Sequence, residues 1–169
     1  YVEFYGNTSI PLLEKYPHMM IARTFSKAYA LASCRVGYML AHSDVIAMLE
    51  KTYMPYHMNV LSLVTADTVF QMRTEFEPQI QMICAERERM QEEYERLAGV
   101  TVYPSRANFI LLHYPNAEEL NEEFIKYGIG VRSFGKIPRL ENMLRISIGR
   151  PDENDAVYRV MKSFVEGNP

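Results

Sequence analysis

A helical stripe between residues 77 and 97 divides this chain into two halves with different hydrophobic rhythms, and no other feature limits the fold as much. Ile80, Ile83, Met90, Tyr94 and Leu97 recur at helical spacing among charged positions, so one face must pack and the other is expected to stay in water. Before it, the apolar runs Met19 to Thr24 and Val36 to Ala41 read as buried strands, while Ser43 to Lys51 and Ser62 to Met72 read as helices. That alternation predicts an α/β sheet. After it, strands are expected at 101–103, 108–112, 130–132 and 143–148, and helices at 117–127 and 153–165. Pro104-Ser105, Pro115-Asn116, Gly128 and Gly149-Arg150-Pro151 mark the breaks. This half predicts a compact α+β unit. We therefore expect residues 1–76 to belong to a larger α/β domain, 77–99 to form a connecting helix, and 100–169 to form a small C-terminal domain.

The chain begins at Tyr1, without methionine, in a strand-like Tyr-Val-Glu-Phe stretch, and we expect a piece of a longer protein. Hydrophobic residues make up 48% and the formal charge is −3 with both signs mixed along the chain, which suits a packed core and gives no electrostatic footprint for nucleic acid. No apolar run approaches the roughly 18 residues of a membrane span, so no membrane partner and a cytoplasmic location are expected. Cys34 and Cys84 match neither a disulfide framework nor a metal pattern, and His18, His42, His57 and His113 lack ligand spacing, so no metal is expected. The alternating charges of Glu86 to Glu95 read as a solvated helix face. The eleven methionines, scattered among other apolar positions, read as core filling, and Asn7-Thr8-Ser9 as a loop.

Chemistry concentrates after the first internal strand, where Arg23-Thr24-Phe25-Ser26-Lys27-Ala28-Tyr29 precedes Ser33-Cys34-Arg35-Val36-Gly37-Tyr38. Strand ends are where α/β sites form. An amine there, beside hydroxyls and a guanidinium, suits a phosphorylated aldehyde: Lys27 condenses with the carbonyl while Thr24, Ser26 and Arg35 bind the phosphate. Alone, a Ser-Lys pair says little, because surface lysines far outnumber catalytic ones.

The wider pattern is more specific. Lys27, Arg35, Gly37 and Tyr38 fall on the lysine signature S-K-x-x-x-x-x-x-x-R-x-G-Y, and the chain resembles the class I and II aminotransferases. Within them it is similar to the histidinol-phosphate aminotransferases through Tyr1-Val2-Glu3-Phe4, Arg23 to Ala28, Pro55-Tyr56-His57-Met58-Asn59, Val131-Arg132 and Leu144 to Gly149. The resemblance spans nearly the whole chain. It implies the C-terminal part of the large domain of a pyridoxal-phosphate-dependent fold type I enzyme, followed by its α+β small domain. It also implies pyridoxal 5'-phosphate as cofactor, with Lys27 forming the Schiff base, Tyr1 donating to the cofactor's phenolic oxygen, and Thr24, Ser26 and Arg35 on its phosphate. The family's aspartate for the ring nitrogen would fall three residues before Tyr1. Tyr56 and Asn59 fit the family motif, yet turn formation and packing explain them equally well.

Arg145 sits between apolar neighbours in Leu144-Arg145-Ile146, where burying an unpaired guanidinium would be costly. From the residues alone, an internal carboxylate satisfies it at least as well as a ligand does. The resemblance implies instead that Arg145 grips the substrate carboxylate, and that Arg132 meets the phosphate of histidinol phosphate and the distal carboxylate of glutamate. The activity so implied is amino transfer from a small-molecule donor, histidinol phosphate, to a 2-oxo acid, 2-oxoglutarate, by a homodimer. An aromatic amino acid aminotransferase and a phosphothreonine decarboxylase share the pattern and remain alternatives. The chain by itself is expected to be an inactive, folded module.

Overall fold

The computed structural model describes residues 1–167, and the chain separates into two compact units, Tyr1–Pro78 and Gln79–Pro169.

The first unit is built around a two-stranded ribbon. Strands β1 (Met20–Thr24) and β2 (Gly37–Ala41) run antiparallel, with Met20 opposite Ala41 and Thr24 opposite Gly37. Such a pair needs no crossover helix, and the connection 25–36 holds only a 3-10 turn at Ala32–Cys34. Both strands stay half-open, with Met20, Tyr38 and Met39 exposed. The expectation of buried strands is therefore corrected for this chain, since no third strand pairs with either one among the described residues. The single-turn helices α1 (Val2–Tyr5) and α2 (Leu12–Lys15) precede the ribbon. The strand expected at residues 1–4 is thus a helical turn: Gly6 takes the left-handed conformation at φ 74° and donates back to Val2 O, which closes the turn.

Helices α3 (Ser43–Glu50) and α4 (Val60–Gln71) follow. His42 caps α3 through Nδ1, and Asn59 caps α4, its Oδ1 accepting from Leu61 N at 2.8 Å and Ser62 N at 3.4 Å. The Asn59 half of the Pro-Tyr-x-x-Asn motif therefore has a helix-starting role in this fold. Tyr56 beside it is fully exposed at φ 62°. Methionine does less core filling than its scatter suggests: Met90 and Met161 are buried, whereas Met48, Met54 and Met72 are exposed.

The second unit has a conventional core. Its antiparallel sheet runs in the order β3 (Thr101–Tyr103), β4 (Phe109–His113), β6 (Met143–Ser147), β5 (Arg132–Ser133). Ile110, Leu112, Leu144 and Ile146 point to one face, where they meet Met90, Tyr94 and Leu97 of α5 (Glu77–Glu95) and its end, Leu120 and Phe124 of α6 (Ala117–Lys126), and Met161 and Val165 of α7 (Pro151–Gly167). Complete burial of side chains this large stabilises by about 1.5–3 kcal/mol each. Strand periodicity sends Phe109, Leu111, Arg145 and Arg132 to the opposite face.

The expectation of a solvated face over Glu86 to Glu95 is corrected in part: Glu86 and Arg87 are buried. Arg89 holds Glu86 with two hydrogen bonds of 2.9 and 2.7 Å, and Asn154 of α7 donates to the same carboxylate at 2.8 Å. Arg87 donates to Ala107 O at 3.1 Å. Helix packing across the sheet pulls these polar groups inside, and each arrives with a partner.

Candidate active site

The connection between β1 and β2 is drawn together at its neck. Phe25 N donates to Val36 O at 3.2 Å, and the Thr24 hydroxyl lies 3.3 Å from the same carbonyl and 2.8 Å from Ser26 Oγ. Thr24 Oγ1 also accepts from Ser26 N at 3.1 Å, a hydroxyl turn that sets the direction of the chain just before Lys27. Lys27 is exposed and its carbonyl accepts from Ala30 N, which bends back at φ 55°. Arg35 is exposed, also at φ 55°, and donates one guanidinium N–H to Ala32 O at 2.9 Å. Its other donors remain for a ligand. Thr24, Ser26, Lys27 and Arg35 thus all emerge from the two sides of one neck.

Gly37 fixes the geometry of that neck. A Cβ built there would lie 2.7 Å from the carbonyl oxygen of Arg23 across the ribbon, and backbone cannot yield as a flexible side chain can. Gly37→Ala is expected to destabilise the first unit by about 1–3 kcal/mol through forced separation of the strands. Chemical denaturation of the full-length protein measures it; an unchanged midpoint would show that the ribbon adapts.

Aromatic packing supports the loop from below. Phe25 has Tyr29, Tyr38 and Phe70 within 5.4–6.3 Å between ring centroids. Burial, then the nearby charge of Glu3, raises the Tyr29 phenol above its usual range. Glu3 belongs to α1, so α1 lies near this loop; Tyr1, at its start, is half exposed.

Arg132 and Arg145 form the second group of candidate residues. They are direct partners across β5 and β6, so two guanidinium side chains leave the same face side by side. Like charges directly opposite repel. Neither makes an ion pair among the described residues, whereas Arg89, Arg96 and Arg150 all do. Each instead sits over an aromatic ring, Arg145 over Phe109 at 5.2 Å and Arg132 over Phe134 at 5.9 Å. Arg145 is therefore not buried, and the internal carboxylate considered for it is absent from the described structure. Its apolar neighbours Leu144 and Ile146 face the core while it faces out, because strand side chains alternate. Phe109 was missed from the sequence, since cross-strand proximity has no linear signal. Phe134 was missed as well, although alternation places the second residue after Arg132 on the same face.

The model of the family "aminotransferase class I and II" matches residues 1–160. The chain belongs to that family. Its enzymes depend on pyridoxal phosphate, and the chain represents part of the fold type I architecture. Among curated relatives, the histidinol-phosphate aminotransferase of Caldanaerobacter subterraneus subsp. tengcongensis is 33% identical over 98% of this chain and 47% of its own length. Histidinol-phosphate aminotransferase 1 of Carboxydothermus hydrogenoformans is 43% identical over 91% of this chain and 44% of its own. The chain spans about half the length of these relatives. The crystal structure of the histidinol-phosphate aminotransferase from Clostridium acetobutylicum superposes with a TM-score of 0.88 at 22% identity, covering 99% of this chain and 52% of that one. No helix of the described residues is long and apolar enough to cross a membrane.

Proposed function

We propose that the intact protein transfers an amino group between histidinol phosphate and 2-oxoglutarate, with Lys27 as the residue bonded to pyridoxal phosphate. The observation that carries the reading is the neck of residues 24–36, where an exposed amine follows a hydroxyl pair on one side and a guanidinium with free donors stands on the returning side. That donor set suits a phosphorylated aldehyde: hydroxyls and guanidinium match phosphate oxygens, and no carboxylate among the described residues ties up the Lys27 amine. When bound, the cofactor supplies an aldehyde for amines and a ring that spreads negative charge from the substrate's α-carbon.

The chain's own residues do the rest. Thr24, Ser26 and Arg35 hold the phosphate, and Tyr1 is assigned to the phenolic oxygen. Lys27 Nζ would hold the cofactor covalently and, as a free amine, would serve as the base that takes the proton from the substrate's α-carbon. Arg145 binds the substrate carboxylate, and Arg132 the phosphate of one substrate or the distal carboxylate of the other. The names of the relatives support histidinol phosphate as donor. On the same reading, residues 1–76 are the C-terminal part of the large domain, 77–99 the connecting helix and 100–169 the small domain. The working unit would be a cytoplasmic homodimer.

The test is substrate profiling of the full-length protein with histidinol phosphate, aromatic amino acids and phosphothreonine as separate donors. Histidinol phosphate with 2-oxoglutarate should give kcat/KM at least about tenfold above every other pair, a difference of about 1.4 kcal/mol. Preferred use of phenylalanine or tyrosine would replace the donor. Release of carbon dioxide from phosphothreonine would replace transamination with decarboxylation.

A further inference from the structure

The pairing of Arg132 with Arg145 poses a physical problem that the fold answers in an unusual way. Two cations face each other on adjacent strands, and the ordinary remedy, a neighbouring carboxylate, would neutralise them and compete with any incoming anion. Here each guanidinium lies over the face of a phenylalanine. An aromatic face attracts a cation through its quadrupole but accepts no strong hydrogen bond. The N–H edges of both forks therefore stay available.

The two rings are well placed for this work. Phe134 is two residues beyond Arg132 and projects to the same side, while Phe109 lies opposite Ser147, diagonal to Arg145 on the neighbouring strand. Diagonal positions are within reach for an aromatic and a long side chain. Phe109 is held by its strand pairing and by the Ser105 hydroxyl, which donates to its carbonyl; the next rung is closed by Ile148 N donating to Asn108 O at 2.9 Å. Buried Arg87 anchors the adjoining Ala107 carbonyl. Phe134 N donates to Met143 O at 3.2 Å. Both rings thus stand on hydrogen-bonded backbone beneath the two guanidinium groups.

We infer that Phe109 and Phe134 are positioning residues that hold Arg145 and Arg132 side by side with their donors free, so that the face is set to receive an anionic group. The inference rests on reading the two arginines as the substrate's anion-binding pair. The aromatic faces offset part of the repulsion before the anion arrives and reduce the ordering cost when it does.

The experiment uses the full-length holoenzyme and inorganic phosphate as the probe, with binding measured by calorimetry. Phe109 is replaced by mono-, di- and trifluorophenylalanine, which weaken the ring quadrupole while changing its shape little. Phosphate affinity should fall stepwise along the series, reaching about two- to fivefold at the end, the range expected for an exposed cation–π contact. Phe109→Tyr should keep the wild-type value, and the KM for the amino donor should follow the same order while kcat stays level. A flat series, with phosphate binding still lost in Arg145→Gln, overturns the role of the ring and leaves the arginine pair standing. Phosphate binding that is absent from the wild type, or unchanged in Arg145→Gln, overturns the anion-binding pair and this inference with it.

Discussion

Full-length protein carrying Lys27→Ala is expected to lose both turnover and the visible absorbance that pyridoxal phosphate shows when bonded to a lysine. The side chain is exposed and no hydrogen bond or ion pair holds it among the described residues, so removing it should leave folding within about 0.5 kcal/mol of wild type. A stability defect cannot then account for lost activity. The size of the loss follows from two separate functions of Nζ. Without it the cofactor would have no amine to hold it covalently. Proton transfer from the α-carbon loses its base as well, a step that alone contributes about a hundred- to ten-thousand-fold. Single-turnover kinetics, with absorbance recorded in parallel, separates the two. Added methylamine should restore part of the proton transfer but not the anchored spectrum. An unchanged spectrum and turnover in the variant would assign the amine to another lysine and dissolve the proposed use of the neck at residues 24–36.

The sequence exposed the second unit better than the first, for a physical reason. Residues 101–103, 109–112 and 143–147 alternate or cluster around a core that this stretch of chain supplies for itself, and strands and helices appear within a few residues of where periodicity puts them. In the first unit, apolar runs such as 20–24 and 37–41 have the composition of buried strands but among the described residues pair only with each other, so in this chain they stay half-open. The lysine neck was legible because it is local: Thr24, Ser26, Lys27 and Arg35 lie within a dozen positions, and hydroxyl turns are written into short sequence. The aromatic supports of the arginines were only half legible. Arg132 and Phe134 share a face by alternation, whereas Phe109 reaches Arg145 only once β4 pairs with β6. Buried Glu86 and Arg87 were hidden for a similar reason, since their partners Asn154 and Ala107 lie far along the chain.

That hidden network yields the largest expected effect on stability. Asn154 joins three places at once: its amide donates to Glu86 Oε2 at 2.8 Å and to Gly149 O at 3.0 Å, and its carbonyl accepts from Gly149 N at 2.9 Å. Truncation to alanine would strand both backbone groups of Gly149 and leave Glu86 Oε2 to Arg89 alone. An unsatisfied buried polar group costs about 1–3 kcal/mol, so with partial access of water Asn154→Ala should destabilise the second unit by about 2–4 kcal/mol. Glu86 gives the same network a pH signature. The Arg89 hydrogen bonds hold its carboxyl below the ordinary value of 4.5, against the opposing effect of burial and with help from Asn154. A carboxyl whose folded pKa is depressed stabilises the fold fully above its unfolded value, and loses that contribution as pH falls through the folded one. Wild-type stability attributable to this site should therefore be level from neutrality down to about pH 5 and fall below about 4.5. Glu86→Gln should be less stable at pH 7 and lose less on acidification, so the two curves converge at low pH. Urea denaturation at a series of pH values measures this, and curves that remain parallel down to pH 3 would mean that the carboxylate is not held by Arg89 in solution.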